Sequence, residues 1–72
     1  MNSKWELKRV VSFEAGISPR YLNYLLNAER NASPAVATRL QLVTDIHKSV
    51  WVFGSAEDRQ KYFDDLTKRH GL

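Results

Sequence analysis

The residues between 19 and 27 carry the side chains best suited to bind another molecule. This stretch holds one arginine, two tyrosines and two asparagines, and it contains no acidic residue. If it forms a helix, five side chains point away from its apolar side, namely Arg20, Tyr21, Asn23, Tyr24 and Asn27. A guanidinium matches the acceptor atoms of guanine, and a carboxamide matches the edge of adenine. This outward face therefore predicts that the chain reads DNA.

The positive charge of the chain lies in the same part of the sequence. Residues 1–50 contain seven Lys and Arg against four Asp and Glu, a net charge of +3, whereas residues 51–72 contain four of each sign. Because DNA is a polyanion, the first fifty residues carry the charge that it requires. The candidate phosphate contacts are Lys8, Arg30, Ser33 and Arg39. The alternative for each of these residues is ordinary surface solvation.

The residue types disfavour several other kinds of chemistry. The chain has no cysteine and two histidines, without paired carboxylates at ligand spacing, so we expect no metal and no cofactor. The acidic residues after position 56 alternate with basic ones, among them Arg59, and indicate a solvated, salt-bridged helix face. The sequence contains no evident combination of nucleophile, base and orienting group, and no phosphate-binding loop. We therefore expect neither an enzyme nor a small-molecule substrate.

Two short helices joined by a tight turn are needed to position the outward face. The first helix is predicted to end at Gly16, because glycine tolerates the left-handed conformation that closes helices. Ser18 and Pro19 are a strong helix start, since serine caps free amides and proline suits the first helical position. Apolar residues at three- and four-residue spacing align on one side of each helix, as in a helix-turn-helix. We expect Asn27 or Asn31 to take the left-handed conformation that closes the second helix.

The remainder of the chain is also predicted to be helical. A second Ser-Pro pair opens a third helix over about residues 34–44, and a last helix is expected over about 56–69. The apolar stretch between them is expected to form a short helical turn that places Trp51 and Phe53 in the core. The sequence thus predicts an all-α fold, a small bundle of four to five short helices.

These helices are expected to form one domain over residues 1–72, with the motif at about 8–27. Residues 46–72 are expected to cover the core and to offer a dimerisation surface. The apolar residues available for self-association are Leu42, Val50, Val52 and Tyr62. No apolar run reaches the length of a membrane span, and no signal peptide is evident, so we expect a cytoplasmic protein without a membrane partner.

One stretch resembles the helix-turn-helix core of the phage repressor and Cro-like regulators, the XRE-like family; it covers residues 16–40 and reads GISPRYLNYLLNAERNASPAVATRL. The resemblance implies a lambda-repressor-like fold. It also implies a transcription regulator that binds double-stranded DNA as a homodimer, associated with the nucleoid, with the second helix in the major groove. The implied base-reading positions are Pro19, Arg20, Asn23 and Tyr24, flanked by Tyr21 and Asn27. Tyr21 has the alternative of packing on the first helix.

Three features depart from the family's pattern. The family has a further helix before the motif, so we expect the last helix or a second subunit to cover the face that it occupies. In the loop after the second helix, Ala28 replaces the family's glycine, which we expect to lengthen that helix. Glu29 replaces the family's lysine, and we expect it to repel a nearby phosphate. Asp45 stands where a glycine is usual. Glu29 favours an alternative to DNA binding, a protein-interaction adaptor of antitoxin-like or anti-repressor type with the same fold. A further alternative is a structural helical subunit of a larger assembly.

Overall fold

A computed structural model describes residues 3–69, and the side chains of residues 4–69. It contains five helices and, within the described range, no strand, which confirms the all-α prediction. The helices are α1 (Ser3–Ala15), α2 (Pro19–Leu26), α3 (Pro34–Thr44), α4 (Lys48–Phe53) and α5 (Ala56–Arg69). None of the helices in this part of the chain is both long and apolar enough to cross a membrane.

The turn between α1 and α2 has the geometry predicted from Gly16. This glycine has a φ of +72°, in the left-handed region. The amide of Ile17 donates to the carbonyl of Ser12 at 2.9 Å and thereby closes the end of α1. A Cβ atom added at Gly16 would lie 3.0 Å from Nη1 of Arg39, which donates to the carbonyl of Ala15 at 3.2 Å. The backbone conformation therefore favours glycine, and an added Cβ would also require the flexible end of the Arg39 side chain to shift.

Both predicted Ser-Pro helix starts are confirmed. Ser18 and Ser33 have extended backbone conformations directly before the prolines that begin α2 and α3. The Oγ of Ser18 accepts from the amide of Tyr21 at 3.1 Å, and the Oγ of Ser33 accepts from that of Val36 at 3.3 Å. Each hydroxyl thus satisfies one of the free amides at its helix N-terminus.

The end of α2 differs from the prediction. The left-handed residue is Ala28, with a φ of +56°, and not Asn27 or Asn31. The amide of Ala28 donates to the carbonyl of Leu25 at 3.0 Å, and the amide of Glu29 donates to that of Tyr24 at 2.9 Å. These two bonds form a Schellman closure, so the lack of glycine does not lengthen the helix. At the end of α3, Asp45 likewise adopts a positive φ, of 62°.

Replacing Ala28 by glycine should stabilise the domain by about 0.5–1 kcal/mol. The left-handed conformation costs an alanine about 1–2 kcal/mol, and the added flexibility of glycine in the unfolded chain offsets only part of that gain. Urea denaturation followed by circular dichroism should show a higher midpoint with an unchanged slope. The matched control is Ala35→Gly in α3, which should lower the midpoint. A lower midpoint for Ala28→Gly would contradict the strained closure.

One apolar core receives residues from all five helices. Its buried members are Leu7, Val11, Ala15, Leu22, Leu25, Leu26, Ala32, Ala37, Leu40, Ile46, Trp51, Phe63 and Leu66. Trp51 is buried as predicted, but Phe53 is 85% exposed, so its predicted core position is wrong. Helical residues two apart point in different directions, and α4 therefore cannot bury both rings. The last helix does cover the motif, because Phe63 and Leu66 of α5 pack in this core.

Candidate nucleic-acid interface

Most of the predicted base-reading residues lie on the solvent side of α2. The helix buries Leu22, Leu25 and Leu26 in the core. Its opposite side, which we call the outer face of α2, consists of the exposed residues Pro19, Arg20, Asn23 and Tyr24, followed by Asn27 at the C-cap. Tyr21 is half-buried and packs against the core. The outer face is therefore polar, carries a positive charge at its N-terminal end and is held on a rigid base.

Arg30 extends this surface at the C-terminal end of α2. Its guanidinium lies over the ring of Tyr24, with the carbon Cζ 5.7 Å from the ring centroid, within the range of a cation–π interaction. Arg30 is exposed, so its charge faces solvent beside the outer face. Glu29, the adjacent residue, is also exposed. The loop after α2 thus presents one basic and one acidic side chain.

The other three candidate phosphate contacts have intramolecular roles. Ser33 caps α3, and Arg39 donates to the end of α1, although both residues are exposed. Lys8 is half-buried on the side of α1 near α5. Burial lowers the pKa of Lys8, the nearby charge of Lys4 lowers it further, and Asp64 of α5 raises it. Lys4 itself forms an ion pair with Asp64, with Nζ 2.7 Å from Oδ1.

Arg59 lies in a different place from the one predicted for it. It was expected on a solvated, salt-bridged face, but it is fully buried in α5. Its Nε donates to the carbonyl of Val50 at 2.9 Å, and its Nη1 donates to those of Leu25 at 2.7 Å and Arg30 at 2.9 Å. Its Nη2 donates to Oδ1 of Asn31 at 2.9 Å. One guanidinium therefore joins α5 to α4, to the end of α2 and to the loop that follows it.

The chemistry of Arg59 suits the end of a helix. The carbonyls at a helix C-terminus carry partial negative charge, so a buried cation is stabilised there without a carboxylate. Burial lowers the pKa of the Arg59 guanidinium, but a guanidinium stays protonated at neutral pH. A signal for this position was present in the sequence, because Arg59 shares a helical face with Phe63 and Leu66. A solvated arginine would not be expected on the apolar face of α5.

Gln60 adds a second connection between α5 and the outer face of α2. Its Nε2 lies 3.0 Å from Oδ1 of Asn27 and 3.4 Å from the carbonyl oxygen of Leu26. Together with Arg59, it satisfies the two terminal carbonyls of α2, those of Leu25 and Leu26. The C-terminal end of α2 is thus held by side chains that lie more than thirty positions later in the chain.

The outer face of α2 presents hydrogen-bond donors, acceptors and aromatic surface on one helix. Within residues 4–69, no group of three His, Asp or Glu side chains is placed to hold a metal ion. No protein-family model, curated protein or solved structure matches the chain.

Proposed function

We propose that the protein is a transcription regulator of repressor or Cro type that binds double-stranded DNA sequence-specifically in the cytoplasm. The outer face of α2 enters the major groove in this proposal. The observation that carries it is the composition of that face: Arg20, Asn23 and Asn27 are exposed together on one helix without an acidic residue. Arginine and asparagine side chains on a helix in the major groove are those that read base edges.

The charges around α2 support the same proposal. Arg20 lies in the first turn of the helix, and Arg30 lies beside Tyr24 at its other end. A recognition helix in the groove has phosphates near both ends, so these two arginines flank the region where base contacts are expected. The exposed Glu29 opposes phosphate binding at one point of this surface.

Selection of binding sites from random duplex DNA tests this proposal. We expect enrichment of one sequence with two related half-sites about one helical turn apart. Affinity for the enriched site should fall steeply as salt is raised, because phosphate contacts release counterions. Recovery of unrelated sequences without enrichment, over several rounds at moderate salt, would contradict sequence-specific binding.

A groove between α4 and α5 supports a homodimer. It has a volume of about 710 Å³ and includes the apolar side chains of Val50 and Tyr62. Two carboxylates, of Asp45 and Asp65, line it together with two basic side chains, Lys68 and Arg69. Equal numbers of opposite charges on one surface suit a contact with a second copy, in which each acid of one subunit meets a base of the other.

Three of the four predicted apolar residues lie at or near this groove, and Val52 instead lines a separate opening. Leu42 is 80% exposed and lines an adjoining opening that shares Asp45 and Arg69 with the groove. Tyr62 is also exposed, whereas Val52 is half-buried. Half-sites one turn apart require each recognition helix to lie about 17 Å from the two-fold axis. Molecular extents of 31 × 23 × 20 Å accommodate this separation.

The dimer proposal predicts a dimeric mass in sedimentation equilibrium at high micromolar concentration. Leu42→Lys should shift the protein toward monomer, because it places a charge in an apolar contact. Lys61→Met, on the exposed side of α5, is the control and should leave the mass unchanged. A monomeric mass for the unmodified chain at that concentration would count against the two-half-site operator.

The second candidate function is a protein-interaction adaptor with the same fold. It is favoured by the outer side of α1, where Phe13 is 83% exposed and Val10 is also exposed. These side chains line a shallow groove with Arg9 and two glutamates, Glu6 and Glu14. An apolar surface rimmed by charges is typical of protein contacts, and the acidic residues would disfavour DNA on this side.

A further inference from the structure

The carboxamide of Asn27 has a defined orientation in the structure. An asparagine that pairs with adenine needs both of its polar atoms, the oxygen to accept and the nitrogen to donate. Oδ1 of Asn27 is directed toward α5, because it accepts from Nε2 of Gln60 at 3.0 Å. Nδ2 lies on the other side of the same carboxamide, and its two hydrogens can only be donated.

A backbone carbonyl determines which way the two carboxamides face. Nε2 of Gln60 is 3.4 Å from the carbonyl oxygen of Leu26, and a carbonyl oxygen only accepts hydrogen bonds. The carbonyl therefore favours the amino group of Gln60 at this position, and the same group donates to Oδ1 of Asn27. The atom of Asn27 that meets it must be an acceptor, so the oxygen of Asn27 faces α5.

The position of Gln60 is itself well determined. Its neighbour Arg59 is fully buried and makes four hydrogen bonds to the end of α2, the following loop and α4. This anchoring fixes the turn of α5 that carries Gln60 relative to the end of α2. The contact with Asn27 therefore joins two rigid elements and does not depend on a mobile loop.

We propose that Gln60 is a positioning residue that makes Asn27 a hydrogen-bond donor toward DNA. The outward amino group then matches the acceptor atoms O6 and N7 of guanine, and the pair of bonds to adenine is disfavoured because the oxygen is directed toward α5. This inference rests on the proposed function and deepens it, because it assigns a base preference to one position of the recognition helix. Gln60 contributes without touching the DNA.

The orientation is tested first in the free protein, by solvent exchange of side-chain amide protons in NMR spectra. In the unmodified chain, the Nε2 protons of Gln60 should exchange more slowly than the Nδ2 protons of Asn27. In Gln60→Glu the carboxylate only accepts, so Asn27 should turn and its Nδ2 protons should become slower to exchange. Equal, fast exchange of both groups in the unmodified chain would overturn the proposed orientation.

The base preference is tested by site selection with Gln60→Met, which removes the hydrogen bond without changing the charge. At one position of the site, the ratio of adenine to guanine affinity should rise at least about fivefold, because Asn27 becomes free to make both bonds to adenine. Thr67→Val, a neutral change farther along α5, should leave the ratio unchanged. An unchanged ratio, or a uniform loss on all sequences, would overturn the positioning role.

These two measurements separate the inference from the proposed function. If the unmodified chain selects no DNA sequence, the proposed function fails and the base preference fails with it, whatever the exchange rates show. If the chain selects a site but Gln60→Met leaves the adenine-to-guanine ratio unchanged, only the role of Gln60 fails.

Discussion

Replacing Arg59 by methionine is expected to destabilise the domain by about 3–5 kcal/mol. Methionine fills a similar volume but donates no hydrogen bond. Leu25 and Val50 keep a second donor each, from the amides of Ala28 and Gly54, whereas Arg30 O and Asn31 Oδ1 lose the bonds described above. A hydrogen bond to a charged donor contributes about 1.5–3 kcal/mol, and these two part-buried acceptors lose theirs.

This loss is large relative to the whole stability of the molecule. A chain of 72 residues has a free energy of unfolding of about 4–11 kcal/mol by the usual scaling. Urea denaturation should therefore show either a much lower midpoint for Arg59→Met or no folded baseline. Arg59→Lys should retain the charge but lose the fork of donors. Its midpoint should therefore lie between that of the unmodified chain and that of Arg59→Met.

Lys61→Met is the matched control for Arg59. It makes the same kind of change in the same helix, but Lys61 is exposed, and surface substitutions usually stay within about 0.5 kcal/mol. Equal midpoints for Arg59→Met and Lys61→Met would show that the four hydrogen bonds contribute nothing to folding. That result would remove the physical basis for the fixed end of α2.

Arg20→Ala is expected to weaken binding to the selected DNA site by about 1–3 kcal/mol, the range for one bidentate contact with guanine. Arg20 is the exposed cation in the first turn of α2, where recognition helices contact base edges. Binding to unrelated duplexes should be largely retained. Fluorescence anisotropy titrations with the selected and a scrambled duplex at the same salt concentration measure both quantities.

Arg30→Ala provides the comparison for Arg20. Arg30 lies against Tyr24 at the other end of α2 and is expected to contact a phosphate. Its removal should weaken binding to both duplexes equally. It should also reduce the slope of the logarithm of affinity against the logarithm of salt concentration by about one. If Arg20→Ala also weakened both duplexes equally, Arg20 would be a phosphate contact and its base-reading role would be wrong.

The features that the sequence predicted correctly are set by neighbouring residues. Ser18 and Ser33 cap their helices with their own hydroxyls, and Gly16 takes a conformation that glycine permits at no steric cost. Such signals act over one turn of helix. The end of α1 and the starts of α2 and α3 could therefore be derived without knowledge of the tertiary fold.

The features that were wrong depend on contacts between distant residues. Ala28 adopts a left-handed conformation that alanine alone disfavours, beside a helix end that Arg59 stabilises from α5. Residue type alone assigns an arginine such as Arg59 to the surface. Trp51 and Phe53 lie in one short helix that can bury only one of the two rings. Packing of the core, and not the local sequence, determines that Phe53 is the exposed one.

The most direct test of the central claim is to map the DNA contacts on the protein. Amide chemical shifts of a ¹⁵N-labelled chain should be recorded while the selected duplex is added. We expect the largest changes in α2 and at the side chains of Arg20 and Asn27, with small changes around Val10 and Phe13 on α1. Unchanged α2 signals, with changes confined to α1 or no binding at all, would contradict the account of α2 as a recognition helix.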